Sequence, residues 1–147
     1  MTAKDYLERA YRITEMIGEH MQEIKKLHMI RDSLVSSGAG GVCSSPDGNA
    51  NYTKVIEKII DYENEIRKKN AELLDTRIEL RKLINNVKNV DYNLILKKRY
   101  LQFMTFEGIS KDMVYTERHI YRLHEKAVDE FEKANKDVIE CHGDGLI

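Results

Sequence analysis

The chain has 147 residues, of which 33% are charged and 41% hydrophobic, with one proline, no tryptophan and a net charge of −1. That length suits one domain or two small ones. No apolar run approaches the length of a membrane span, and no basic-then-apolar opening stretch reads as a signal peptide, so a cytoplasmic protein is expected. Two cysteines, Cys43 and Cys141, are too few for a disulfide scaffold. Abundant Leu, Ile, Lys and Glu point to long helices.

The first predicted element is one long helix over residues 2–34. Thr2 is placed to cap it, with Asp5 as the reciprocal partner of a capping box. Alternating steps of three and four pick out Ala3, Tyr6, Ala10, Ile13, Ile17, His20, Ile24, Leu27, Arg31 and Leu34. All but His20 and Arg31 are apolar, which is the narrow stripe of a helix packed on a partner helix.

Residues 36–51 hold most of the turn formers, including Gly38, Gly40, Gly41, Pro46 and Gly48, and read as a flexible Gly/Ser linker. No Gly-Lys-Ser/Thr element and no preceding strand make it a phosphate cradle.

A second long helix is expected over about 52–87, with a stripe through Tyr52, Val55, Ile59, Tyr62, Ile66, Lys69, Leu73, Thr76, Leu80, Leu83 and Val87. Arg67, Lys68, Lys69, Arg81 and Lys82 read as solvated faces. The two stripes match in length, so residues 1–88 are expected to form an antiparallel helical hairpin. Its seam would carry Ile13, Ile17, Ile24 and Leu27 against Ile59, Ile66, Leu73 and Leu80. Apolar Ile56, Ile60, Leu74, Ile78 and Ile84 fall partly outside that seam, so another copy, in a homo-oligomer, or another domain is expected there. The linker permits pairing within one chain or between chains.

Residues 89–134 read as a separate block of three short amphipathic helices, at about 92–103, 106–113 and 117 onward. Asp91, Thr105 and Thr116 stand where N-caps would. Residues 135–147, with Cys141, His142 and Gly143, read as a frayed tail. On the third helix Ile120, Leu123, Ala127 and Phe131 form the inward stripe, which turns Glu117, Arg118, His119, Tyr121, Arg122 and Lys126 toward other faces. Residues 93–126 hold seven Lys and Arg against four acids, a modest basic face suited to DNA. The expected architecture is all-α: a coiled-coil-like hairpin followed by a tri-helical helix-turn-helix domain.

Residues 95–131 resemble region four of bacterial sigma factors. The shared pattern is Arg99-Tyr100, then the helix from Thr105 through Glu107 and Ile109 to Ser110, then Thr116, Ile120, Leu123 and Ala127 in order and spacing. Val114 stands where that family usually has a turn glycine, Gly108 where it has Glu, and Lys98 where an apolar residue is common. With the long helical hairpin ahead of it, the chain is similar to ArpU-like phage late-gene regulators. The resemblance implies a sequence-specific DNA-binding transcriptional regulator of a phage or prophage, acting in the bacterial host. It assigns base contacts to Glu117, Arg118, His119, Tyr121 and Arg122.

Lys97, Lys98, Arg99, Lys111 and Lys126 are expected to contact phosphate. RNA polymerase is a second candidate partner. An alternative reading is a helical adaptor that binds polymerase or another protein and never touches DNA. No nucleophile–base pair, carboxylate pair or phosphate cradle is present, so no enzyme, cofactor or small-molecule substrate is expected. His119 and His124 lack the Cys or acidic partners of a metal site.

Overall fold

A computed structural model of the chain describes residues 2–36 and 46–144, and every regular element among them is helical. In chain order these are α1 (Ala3–Leu7), α2 (Arg9–Leu34), α3 (Pro46–Ile84), α4 (Val90–Leu96), a π-helical turn (Lys97–Leu101), α5 (Phe106–Met113), α6 (Glu117–Ala134) and α7 (Lys136–Asp144). The protein is all-α. No described helix is long and apolar enough to cross a membrane.

The chain divides into two compact units, Met1–Arg12 with Leu73–Ile147, and Ile13–Glu72. Both divisions fall inside long helices, so α2 and α3 each contribute to both units.

Local signals set the start of the chain as expected. The Thr2 hydroxyl accepts from the Asp5 amide at 3.1 Å, and the Asp5 carboxylate accepts from the Thr2 amide at 3.1 Å. The expected single helix over 2–34 is instead broken at Glu8, where ψ is −4°. Arg12 donates to the Asp5 carbonyl beside that break.

Of the expected linker at 36–51, residues 37–45, and Cys43 with them, lie outside the described residues. The second helix begins at Pro46, earlier than the apolar pattern alone implies. Proline suits a first helical turn, because its missing N–H would have no intrahelical partner there.

In the unit Ile13–Glu72, Ile13, Ile17 and Ile59 are buried, while Ile24, Leu27 and Ile66 are half-buried. The His20 ring of α2 lies 5.6 Å from the Tyr62 ring of α3. Arg31 and Lys69, the charged interruptions of the two stripes, are half-buried at their stripe positions.

The other unit holds the larger core. Tyr6, Leu7, Leu80, Ile84, Leu96 and Phe131 are its largest fully buried side chains, with Leu73 packed at its edge. The Tyr6 hydroxyl donates to Glu79, and burial followed by that hydrogen bond holds the phenol above its ordinary pKa. A smaller cluster of Ile95, Ile109 and Ile120, flanked by Phe106 and Leu123, joins α4, α5 and α6.

The C-terminus of α3 exposes backbone carbonyls that helix geometry leaves without partners. The backbone amides of Asn86 and Val87 reach Leu83 O and Ile84 O at 3.1 and 2.9 Å, and asparagine side chains from other elements add second donors. Asn135 Nδ2 donates to Leu83 O and to Phe131 O, both at 3.0 Å, and Asn86 Nδ2 donates to Asn135 Oδ1 at 2.8 Å. Asn93 Nδ2 reaches Ile84 O at 3.1 Å and Val87 O at 3.3 Å. Asn89, rather than the expected Asp91, caps α4, accepting from the Asp91 and Tyr92 amides at 3.0 and 3.2 Å. Asp91 becomes the first-turn acid, which the helix dipole favours.

The expected frayed tail is also corrected. Residues Lys136–Asp144 form α7, anchored by buried Ile139 and half-buried Val138, and residues 145–147 lie outside the described residues.

Asn135 is 3% exposed and serves two helix ends at once. Asn135→Ala removes three hydrogen bonds, while Leu83 O and Phe131 O keep the backbone amides of Asn86 and Asn135, both at 3.1 Å, so unfolding free energy is expected to fall by about 1 kcal/mol. Urea denaturation measures it. A loss below about 0.5 kcal/mol, less than a typical net hydrogen bond, would show that the backbone donors alone satisfy those carbonyls.

Candidate functional site

The site is built on α5, the connection after it, and α6. Thr105 caps α5 by accepting from the Gly108 amide at 3.1 Å. Thr116 caps α6 by accepting from the His119 amide at 3.2 Å. Both caps fall where the sequence places them. Gly108 packs closely under its cap: a Cβ there would sit 3.3 Å from the Thr105 hydroxyl oxygen.

Between the helices, Val114 adopts φ 57° and ψ 43°, the left-handed conformation that the usual turn glycine takes at no steric cost. Its amide and that of Tyr115 both donate to Ser110 O, the latter at 3.0 Å. The Tyr115 ring meets the His119 ring edge-on at 4.9 Å, which ties the connection to the first turn of α6.

The roll of α6 is fixed by what it buries: Ile120, His124, Ala127 and Phe131. Glu117, Arg118, Tyr121, Arg122 and Lys126 are therefore exposed, and His119 is half-buried. Arg118 and Arg122 are four residues apart and share one outward face. Tyr121 keeps about half its surface while its ring lies 4.5 Å from Phe106.

The other expected contacts divide. Lys111 is exposed and pairs with Glu107 at 3.0 Å. Lys97, Lys98 and Arg99 lie half-buried on the π turn. Lys98 is ion-paired with Asp112. Arg99 stacks over the Phe106 ring at 4.3 Å and donates to Met104 O at 3.0 Å. These two cations thus have internal partners that spacing alone does not reveal.

His124 belongs to the buried face of α6, a role that the sequence reading does not assign to it. It is 8% exposed, with Nε2 2.6 Å from the Tyr100 hydroxyl and its ring edge-on to Phe106 at 5.0 Å. The signal was present: His124 follows Ile120 by four and precedes Ala127 by three, so it lies on the inward stripe. Burial, then the charges of Arg99 and Lys4, push its imidazole down to about 4. Burial, then the Glu8 carboxylate, push the Tyr100 phenol up to about 12. At neutral pH the pair is uncharged and joined by its hydrogen bond within the packed core. Among the described residues, no three His, Cys, Asp or Glu side chains converge as a metal-ligand set.

The geometry therefore defines an all-α protein whose outward chemistry on α6 is a pair of guanidinium forks above a neutral buried core. The chain belongs to DUF1492, a family of proteins of unknown function whose sequence profile matches residues 47–132, more than half of its length. That span takes in most of α3, the π turn, α5 and nearly all of α6, and so contains every residue of the α5–α6 site. No curated protein and no solved structure matches the chain.

Two outcomes are expected here. His124 stays neutral in the fold down to about 4, whereas the unfolded chain takes up that proton near 6.5. Its contribution is intact above 6.5 and declines as pH falls toward 4, reaching about 3 kcal/mol lost. Urea midpoints measured across that window should fall less steeply for His124→Gln than for wild type; parallel curves would remove His124 as the cause. Separately, Val114→Gly relieves about 1–3 kcal/mol of left-handed strain. It adds about 0.5–1 kcal/mol of unfolded-state entropy. A net gain of about 1 kcal/mol is expected from thermal or urea denaturation, and a loss would mean that the valine side chain holds the turn.

Proposed function

We propose that the protein is a sequence-specific DNA-binding regulator of transcription, of phage or prophage origin, acting in the cytoplasm of a bacterial host. In this reading α5 and α6 are a helix-turn-helix, and the N-terminal half of α6, from Glu117, enters the major groove. Arg118 and Arg122 read base edges, since a guanidinium fork matches the two acceptors of guanine. Glu117, His119 and Tyr121 border them. Lys97, Lys111 and Lys126 hold phosphates and set the register, while Lys98 and Arg99 brace the domain.

One observation carries this reading. Two capped helices joined by a three-residue connection present Arg118 and Arg122 on the face of α6 opposite its buried stripe. The similarity of residues 95–131 to sigma region four and of the chain to ArpU-like regulators supports it. The long helices α2 and α3 form, in the same reading, a helical hairpin that mediates homo-oligomerisation or contacts RNA polymerase.

A second reading, an adaptor that binds protein alone, is favoured by a different surface. Leu74 and Ile78 on α3 are 60% and 59% exposed beside Arg77, Arg81 and buried Leu101, an apolar groove with a cationic rim.

The discriminating experiment recovers genomic DNA fragments on the purified protein at two salt concentrations. Specific fragments surviving the higher salt are expected, with affinity falling steeply against log salt as phosphate counterions are released. On the selected site Arg122→Ala should cost about 1–3 kcal/mol and relax preference at one base pair. Its melting temperature should be unchanged, because the side chain is exposed. No recovery, or uniform recovery lost with salt, would favour the adaptor.

A further inference from the structure

Two non-glycine residues among those described have positive φ, Phe103 at 55° and Val114 at 57°. They differ in what offsets the strain. The Phe103 ring packs edge-on to Tyr11 at 5.7 Å and under the Arg77 guanidinium at 5.9 Å. Val114 is 87% exposed, more than any other large hydrophobic side chain described. A β-branched residue is the costliest choice for this conformation, and here its side chain buries almost nothing within the fold. The turn itself is rigid: Ser110 O takes both amide hydrogens, and His119 fixes the ring of the neighbouring, exposed Tyr115.

We propose that Val114 is an apolar reading contact of the DNA surface, docking its isopropyl group against a thymine 5-methyl at the edge of the site. The inference rests on the DNA-binding reading above. It follows from the place of the turn, immediately before the helix that carries exposed Arg118 and Arg122, whose charge suits a polyanion. In the major groove the thymine methyl is the one apolar feature a base pair presents, so a valine held out to solvent has that group as its natural partner. The strained backbone aims the side chain outward, and the contact is made only in the complex.

The test uses the full chain and the site selected by wild type, with deoxyuridine replacing thymine one position at a time. At one terminal position the loss of the methyl should weaken wild type about fourfold, the worth of one buried methyl-sized group. Val114→Gly should melt no lower than wild type, bind the thymine site about fourfold more weakly, and respond less than twofold to deoxyuridine at that position. Equal losses for Val114→Gly on thymine and deoxyuridine sites would place the effect in the backbone and overturn the proposal. So would a selected site at which wild type ignores every such replacement. If wild type selects no DNA, the DNA-binding reading falls and this contact falls with it, an outcome distinct from the other two.

Discussion

The roll of α6 about its own axis decides which of its side chains meet solvent, and the buried Tyr100–His124 pair is what fixes that roll. Apolar contacts at Ile120, Ala127 and Phe131 set the inward face to within the breadth of a stripe. A hydrogen bond of 2.6 Å inside the core is directional and admits far less rotation. It also couples α6 to the π turn, because Tyr100 sits within Lys97–Leu101. Such a turn carries an extra residue relative to α-helical spacing and so shifts the faces that follow it. Here it places Tyr100 and Leu101 inward and brings the Arg99 guanidinium over Phe106.

The same economy governs the end of α3. A helix terminus packed under other elements must find donors for its last carbonyls or lose stability for each one left bare. The backbone amides of Asn86 and Val87 supply the first donors, and the side chains of Asn135 and Asn93 add second ones that bind two elements together: Asn135 links α3 to the α6–α7 junction, and Asn93 links α3 to α4. These amides are neutral, so the junction holds without a buried charge and without the desolvation that one would incur.

This explains which features were legible in the sequence. The caps at Thr2, Thr105 and Thr116 are local, each depending on residues three positions away, and each stands where the pattern placed it. The inward stripes at Tyr6, Ile13, Ile59, Leu80, Ile120 and Phe131 are likewise local, because helical period alone selects them. What was hidden is long-range. Asn135 reaches residues 49 and 52 positions back in the chain, and nothing in a window around it distinguishes it from a loop asparagine. The helix after it is hidden for the same reason, since Ile139 finds its core only through the tertiary fold. The α5–α6 site divides in the same way. Exposure of Arg118 and Arg122 follows from the stripe opposite them, whereas the internal partners of Lys98 and Arg99 depend on the π turn, for which no sequence signal was available.

That partition of cations bears on any anionic partner. Net charge counts Lys98 and Arg99 equally with Arg118, Arg122 and Lys126, yet the first two are half-buried with an ion pair and a ring beneath them. Among the described residues no internal partner holds the last three, and all are exposed. A guanidinium already stacked and hydrogen-bonded must give up those contacts before it can meet a phosphate, whereas a solvated one gives up only water. The effective positive surface is therefore narrower than the basic stretch of sequence suggests, and Arg118, Arg122 and Lys126 carry its freest part along one face of α6. A narrow face of forked donors suits recognition of a few defined acceptors better than diffuse attraction to any polyanion, because bidentate geometry discriminates while point charge does not.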